Sequence, residues 1–160
     1  GDTLIWLTAI ASQAPLTNPA TLSKRNLHPV VDFDDTTQEI TYFEGIMPRT
    51  YAGGNLSVYL HYAATSATAG TAAFDIAFER VSDSQQDIDA DGFSTVRTIT
   101  PVTVPATSGH IDIVTFIVLA GTDTDSIAAG ETFRLRIRRF VANDTATGDL
   151  GLLAVEIREV

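Results

Sequence analysis

The stretch QEITYFEGIMPRTYAGGNLSVYLHYAA, residues 38–64, decides the fold of this chain. It holds two segments in which apolar and polar side chains alternate, residues 40–42 and 56–62, joined by a turn-rich connection with Pro48 and Gly53. Alternation with a period of two places one set of side chains on a buried face and the other set in water. The stretch therefore predicts two strands of a half-buried sheet.

The same kind of segment recurs along the rest of the chain. Short alternating or apolar runs are separated by loops rich in Gly, Asp and Thr, and no run has the period of an amphipathic helix. About eight antiparallel strands in two sheets are typical of a jelly roll. We therefore predict an all-β fold, a jelly-roll-like antiparallel β-sandwich. The predicted strands cover residues 30–33, 38–46, 56–64, 73–81, 93–104, 111–119, 132–141 and 150–160.

The first 27 residues differ in pattern from the rest of the chain. An apolar head precedes Pro15 and Pro19, which break regular structure. The head is either a first strand followed by a long loop, or part of an extended arm that packs onto another subunit. A long loop without an element of its own is uncommon in a compact domain. We therefore divide the chain into an N-terminal arm, residues 1–27, and a β-sandwich domain, residues 28–160. The predicted interface residues of the arm, with Trp6 as the anchor, are Leu4, Ile5, Trp6, Leu7 and Ile10.

Composition excludes several classes of function. The chain has 160 residues, of which 44% are hydrophobic, and its 20 acidic and 10 basic residues give a net charge of −10. A chain this acidic is not expected to bind nucleic acid, because phosphate contacts need clustered positive charge. There is no cysteine for a disulfide or a thiolate metal site. No apolar run approaches the roughly 20 residues of a membrane helix.

One segment has metal-ligand spacing. Asp87, Asp89 and Asp91 alternate and are followed by Gly92, which is typical of the first half of a calcium loop. The second half does not match, since position twelve counted from Asp87 is Thr98 rather than Glu. Two interpretations stay open: a solvated acidic turn, or a weak calcium site of another kind. Calcium is the one cofactor that the sequence suggests.

A cluster of arginines marks the strand at residues 132–141. Arg134, Arg136 and Arg138 occupy alternate positions, so they share one face of the strand. They can pair with carboxylates of neighbouring strands, lie in a subunit interface, or bind an anion or a glycan. The candidate carboxylates are Asp75, Glu79 and Glu156.

No set of residues predicts catalysis. The histidines are far apart, without the spacing of zinc ligands, and no serine lies in a nucleophile elbow. The chain is therefore not expected to be an enzyme. Its tyrosines could line a sugar-binding face, although aromatic residues on strands more often belong to a core or an interface. The residues concerned are His28, His61 and His110, and Tyr42, Tyr51, Tyr59 and Tyr62.

Several motifs outside the N-terminal arm carry a family resemblance. They are FEGIMP (43–48), YAGGNLSVYL (51–60), AFER (77–80), AG (129–130), FRLRIRR (133–139) and VEIR (155–158). This set resembles a group of small β-sandwich proteins of tailed bacteriophages, over roughly residues 29–160. The resemblance implies a non-enzymatic virion structural protein, such as a capsid decoration (cement) protein, assembled in the host cytoplasm. It also implies a homo-oligomer, by analogy a trimer, in contact with the major capsid protein or another virion protein.

A second function is compatible with the same sandwich. It is a carbohydrate-binding or receptor-binding module of a phage tail or of a secreted protein. Such a module should present exposed aromatic side chains, whereas a decoration protein should present an arm that reaches a neighbour. A hydrolase or isomerase would need a cluster of histidine and carboxylate side chains, and the histidines are scattered.

If the acidic loop binds calcium, the ion should raise the melting temperature slightly. A ligand that binds only the folded state stabilises that state by mass action. The Asp89→Ala variant should then show no shift on calcium addition. Thermal unfolding with and without the ion measures both, and an unchanged melting temperature of the unmodified chain at saturating calcium disposes of the site.

Overall fold

A computed structural model describes residues 1–160 as two antiparallel sheets that face each other, together with a small two-stranded sheet of Thr71–Ala72 and Val102–Thr103. The strands are β1 (Thr3–Thr8), β2 (Thr21–Arg25), β3 (His28–Phe33), β4 (Ile40–Ile46), β5 (Leu56–Ala64), β6 (Thr71–Ala72), β7 (Phe74–Val81), β8 (Arg97–Thr98), β9 (Val102–Thr103), β10 (Ile111–Val118), β11 (Thr132–Arg139) and β12 (Leu150–Glu159). Two 3-10 turns, Ala9–Ala11 and Val141–Asn143, are the helical elements. Neither turn is long and apolar enough to span a membrane.

The order of the strands is that of a jelly roll. The larger sheet runs β10-β5-β12-β3-β2, with β1 also paired to β12, and the smaller sheet runs β4-β11-β7-β8. From β3 to β12 the long strands alternate between the two sheets along the chain. The predicted fold class is therefore confirmed. The structure has more strands than predicted, partly because Pro101 interrupts residues 93–104 and leaves two short strands, β8 and β9.

The core lies between the two sheets. The inward side chains of β5 and β11 are fully buried, as their alternation predicts. Each buried side chain of this size contributes about 1.5–3 kcal/mol relative to the exposed state. On these two strands they are Leu56, Val58, Leu60 and Tyr62, and Phe133, Leu135 and Ile137.

The N-terminal segment belongs to the larger sheet and is not a separate arm. β1 lies antiparallel to β12, and β2 pairs with β3, so the structure shows no division of the fold at residue 27. The reason is the length of β12. Its first three residues pair with β3, which leaves the edge from Ala154 to Arg158 free for β1. Contact between this segment and another subunit stays a prediction.

Arg139 joins three parts of the chain. Its guanidinium is completely buried at the end of β11, where it forms a bidentate ion pair with Asp144, with an Nε–Oδ2 distance of 2.7 Å. It also donates hydrogen bonds to the carbonyl oxygens of Phe33, Ala146 and Gly148. Because every donor has a partner, this buried charge fixes the loop before β12 against the end of β3.

Replacing Arg139 should destabilise the fold strongly. Arg139→Met leaves the Asp144 carboxylate, which is 2% exposed, without a counter-charge, and breaking such a pair costs about 3–5 kcal/mol. Urea unfolding measures the loss, with Lys24→Met on the exposed strand β2 as the control. Arg139→Met/Asp144→Leu should recover only part of the stability, because three carbonyl groups still lack donors. Full recovery would show that Arg139 serves Asp144 alone.

Candidate functional site

The three aspartates predicted to bind calcium lie in an exposed turn. The backbone N–H of Asp89 donates to the Asp87 carboxylate at 3.0 Å, and that of Asp91 donates to the Asp87 carbonyl at 2.8 Å. No three His, Cys, Asp or Glu side chains form a group that could hold a metal ion. The structure thus does not bring Asp87, Asp89 and Asp91 together, and calcium binding stays a prediction without a preformed site.

Two of the three outward-facing arginines on β11 pair within the smaller sheet. Arg134 makes a bidentate contact with Glu79, with an NH2–Oε2 distance of 2.7 Å. Arg138 does the same with Asp75, at 2.8 and 3.0 Å. Both carboxylates are on β7, directly opposite their arginines, and both are almost completely buried. These pairs make the outer face of the smaller sheet largely self-neutralising.

Arg136 has no carboxylate partner. The residues opposite it are Ala77 on β7 and Tyr42 on β4, and its Nε is buried without a hydrogen bond. Its guanidinium lies 5.0 Å from the centre of the Phe93 ring, which is itself stacked on Tyr42. Burial, and then the charge of Arg138, lower the pKa of Arg136. A subunit interface at the three arginines stays a prediction.

The histidines and tyrosines do not converge on one centre. Tyr51 and Tyr62 are buried, and the Tyr62 hydroxyl donates to Asp112 at 2.8 Å. Burial, helped by this hydrogen bond, raises the pKa of Tyr62. Tyr42 and Tyr59 are partly exposed, but on opposite sides of the sandwich. The four tyrosines therefore do not form one sugar-binding face.

The outer face of the larger sheet carries a row of three side chains that the sequence analysis named separately but did not predict to be neighbours. Strand pairing places Trp6 on β1 opposite Glu156 on β12, and Glu156 opposite Tyr59 on β5. Trp6 is 70% exposed, although it lies within a strand. A carboxylate thus lies between two aromatic residues on adjacent strands, and we call these three residues the Trp6 row.

A shallow groove of about 600 Å³ runs beside Trp6. Its lining is mixed. Trp6 and Leu4 are apolar, and His61 and Glu156 are polar. The Thr3 hydroxyl donates a hydrogen bond to the Glu156 carboxylate, which fixes that side chain in the groove. The other apolar residues of the predicted arm divide: Ile5 and Leu7 pack against the core, whereas Ile10 is exposed.

No protein-family model matches this chain, and no curated protein sequence matches it. Solved structures match it in fold. The C-terminal CBM6 (carbohydrate-binding) module of the laminarinase LamC from Zobellia galactanivorans has a TM-score of 0.51 at 13% identity, over 97% of this chain and 98% of that one. The CBM22-2 xylan-binding domain of Xyn10C from Paenibacillus barcinonensis has a TM-score of 0.54 at 12% identity, over 94% of this chain and 92% of that domain.

A third match is a much longer protein. The isomalto-dextranase of Arthrobacter globiformis T6, solved with panose, has a TM-score of 0.53 at 12% identity. The match covers 96% of this chain, but this chain spans only 22% of that enzyme. At such identities the likeness shows the fold alone. The chain therefore has a β-sandwich fold of the kind found in carbohydrate-binding modules.

The arginines of β11 should differ in their effect on stability. Arg136→Met removes an unpaired, partly buried cation and keeps the stack on Phe93, so the stability should change by less than about 0.5 kcal/mol or should rise. Arg138→Met, its matched control, leaves Asp75 buried without a partner and should cost about 2 kcal/mol or more. Urea unfolding of both variants measures the difference, and equal losses would contradict this description of the face.

Proposed function

We propose that this chain is a non-catalytic carbohydrate-binding module and that the Trp6 row, with His61, is its binding site. The observation that carries the proposal is the exposure of Trp6 beside a groove whose lining includes polar groups. An indole left largely in water on a rigid strand contributes little burial to the fold, and its apolar surface is available to a ligand that covers it.

The groups around Trp6 match the chemistry of a sugar ring. One face of a pyranose carries C–H groups, which pack on the electron-rich face of an aromatic ring. Its rim carries hydroxyl groups, which can donate to the Glu156 carboxylate and exchange hydrogen bonds with either nitrogen of His61. Tyr59 continues the row on the far side of Glu156 and supplies a second ring for an adjacent sugar unit.

The groove does not hold the groups that glycoside hydrolysis needs. Most glycosidases use two carboxylic acids on either side of the scissile bond. Glu156 is the one carboxylate that lines the groove. Together with the fold shared with carbohydrate-binding modules, this supports binding without catalysis.

Binding should depend on the two rings. We expect the full chain to bind one of three soluble polysaccharides, xylan, laminarin or dextran, in affinity electrophoresis. Trp6→Ala should weaken that binding by on the order of tenfold or more, which is about 1.4 kcal/mol, and Tyr59→Ala should weaken it less. Ile10→Ala is the matched control, because Ile10 is equally exposed but does not line the groove.

Two results would contradict the proposal. One is that none of the three polysaccharides slows the migration of the protein in the gel. The other is a Trp6→Ala variant that binds as well as Ile10→Ala does. Thermal unfolding of each variant separates loss of the site from loss of the fold.

A structural role in a virion, which the sequence resemblance implies, is a second proposal. The observation that favours it is the row of half-exposed isoleucines on the outer side of β10, since contacts with other subunits would cover them. Electron microscopy of phage particles incubated with the purified protein tests this role. Particles that bind none of the protein would contradict the proposal.

A further inference from the structure

We propose that two copies of this chain associate through β10, which pairs antiparallel with β10 of the second copy about a twofold axis at Thr115. The proposal does not depend on the carbohydrate site. It concerns the one long strand edge of the sandwich that is left without protection.

β10 is an eight-residue strand that pairs along one side only. Its partner is β5, in an unbroken register from Ile111 to Val118, and no other strand pairs with it. It contains no proline, no lysine and no register shift, three of the features that keep a strand edge from pairing with another chain. Its one charged side chain, Asp112, is on the inward side and accepts a hydrogen bond from the buried Tyr62. Its outer backbone groups are therefore free to accept another strand.

The other edges of the sandwich are protected. β2 carries Lys24 and Arg25, and β1 has a register shift after Thr3. The edge of β4 is covered by backbone hydrogen bonds from residues 13–20. β8 is only two residues long and lies close to Pro101. The contrast singles out β10.

The outward side chains of β10 are apolar. Ile111, Ile113 and Ile117 are 48%, 51% and 47% exposed, and Leu119, just after the strand, is 44% exposed. Thr115 is the only polar residue among them. On the inward side, Val114, Phe116 and Val118 are buried in the core. The strand is thus rigidly held with an aliphatic outer face.

This pattern is complementary to itself in one antiparallel register. When Thr115 faces Thr115 of the second copy, residues whose numbers are equally far from 115 face each other. Ile113 then faces Ile117, Ile111 faces Leu119, and each contact occurs twice because of the twofold axis. All four half-exposed aliphatic side chains gain an aliphatic neighbour, and cross-strand pairs of this kind stabilise a sheet. A shift of the axis to Val114 would place Ile113 opposite Thr115 instead.

The first test is the mass of the full chain in solution. Sedimentation equilibrium at an ionic strength of about 0.15 M, where long-range repulsion is screened, should give twice the chain mass of 17.1 kDa. The interface formed by one strand pair is smaller than a standard interface of about 1,600 Å², so we expect weak association. The protein concentrations measured should therefore extend to about 500 µM. Thr115→Lys should raise the dissociation constant by on the order of tenfold or more.

Thr21→Lys is the matched control for that variant. Thr21 is also an exposed threonine on an edge strand, but on β2, at the opposite edge of the larger sheet. It should leave the dissociation constant unchanged. A chain that stays monomeric over the whole range, a trimer, or a Thr115→Lys variant that associates like Thr21→Lys would overturn the proposal.

The second test fixes the register. The chain has no cysteine, so a single introduced cysteine can form a disulfide only with the same cysteine of a second chain. Directly opposite residues have Cα atoms about 4.5–5.5 Å apart, which suits a disulfide. Thr115→Cys should therefore cross-link on mild oxidation. Ile113→Cys should not, because the two copies of residue 113 are displaced from each other by about 13 Å along the strand direction. Cross-linking of Ile113→Cys at an equal or faster rate overturns the register.

Discussion

The structure depends on burial between β5 and β11, two strands with neighbours on both sides, one in each of the facing sheets. Because successive side chains of a strand point to opposite faces, the residues that fill the core dictate what the outer faces carry. On β11, burial of Phe133, Leu135 and Ile137 forces Arg134, Arg136 and Arg138 outward. On β5, the same constraint turns Tyr59 and His61 toward solvent.

The two outer faces have opposite chemistry as a result. The face of the smaller sheet is charged, but its arginines are matched by carboxylates one strand away. The face of the larger sheet has few charges and presents Trp6, Tyr59 and the isoleucines of β10. A surface whose charges are already paired gains little from a partner, whereas exposed aromatic and aliphatic side chains gain from being covered. Both proposed binding surfaces therefore lie on the larger sheet.

The two proposals for that sheet share one geometry. The Trp6 row ends at Tyr59, and Thr115 on β10 is the residue directly opposite Tyr59. In the proposed dimer, the twofold axis joins the row of one copy, through the two Thr115 residues, to the row of the second copy. The two Trp6 side chains are then seven strand spacings apart, about 34 Å. A polysaccharide that follows the row could contact both copies, and such bivalent contact strengthens binding without any new kind of interaction.

The sequence by itself determined the alternation, and with it the fold class, the inward residues and the common face of the three arginines. These are local properties, since side-chain direction within a strand follows from its period. Only the tertiary structure decided which strands are neighbours. It added β1 to the free edge of β12, paired Glu79 and Asp75 rather than Glu156 with the arginines, and left Asp87, Asp89 and Asp91 apart. The Trp6 row is also a feature that only the tertiary structure decided, because Trp6 and Glu156 lie at opposite ends of the chain. Register between such distant segments is set by the packing of the whole sandwich, which no local pattern contains.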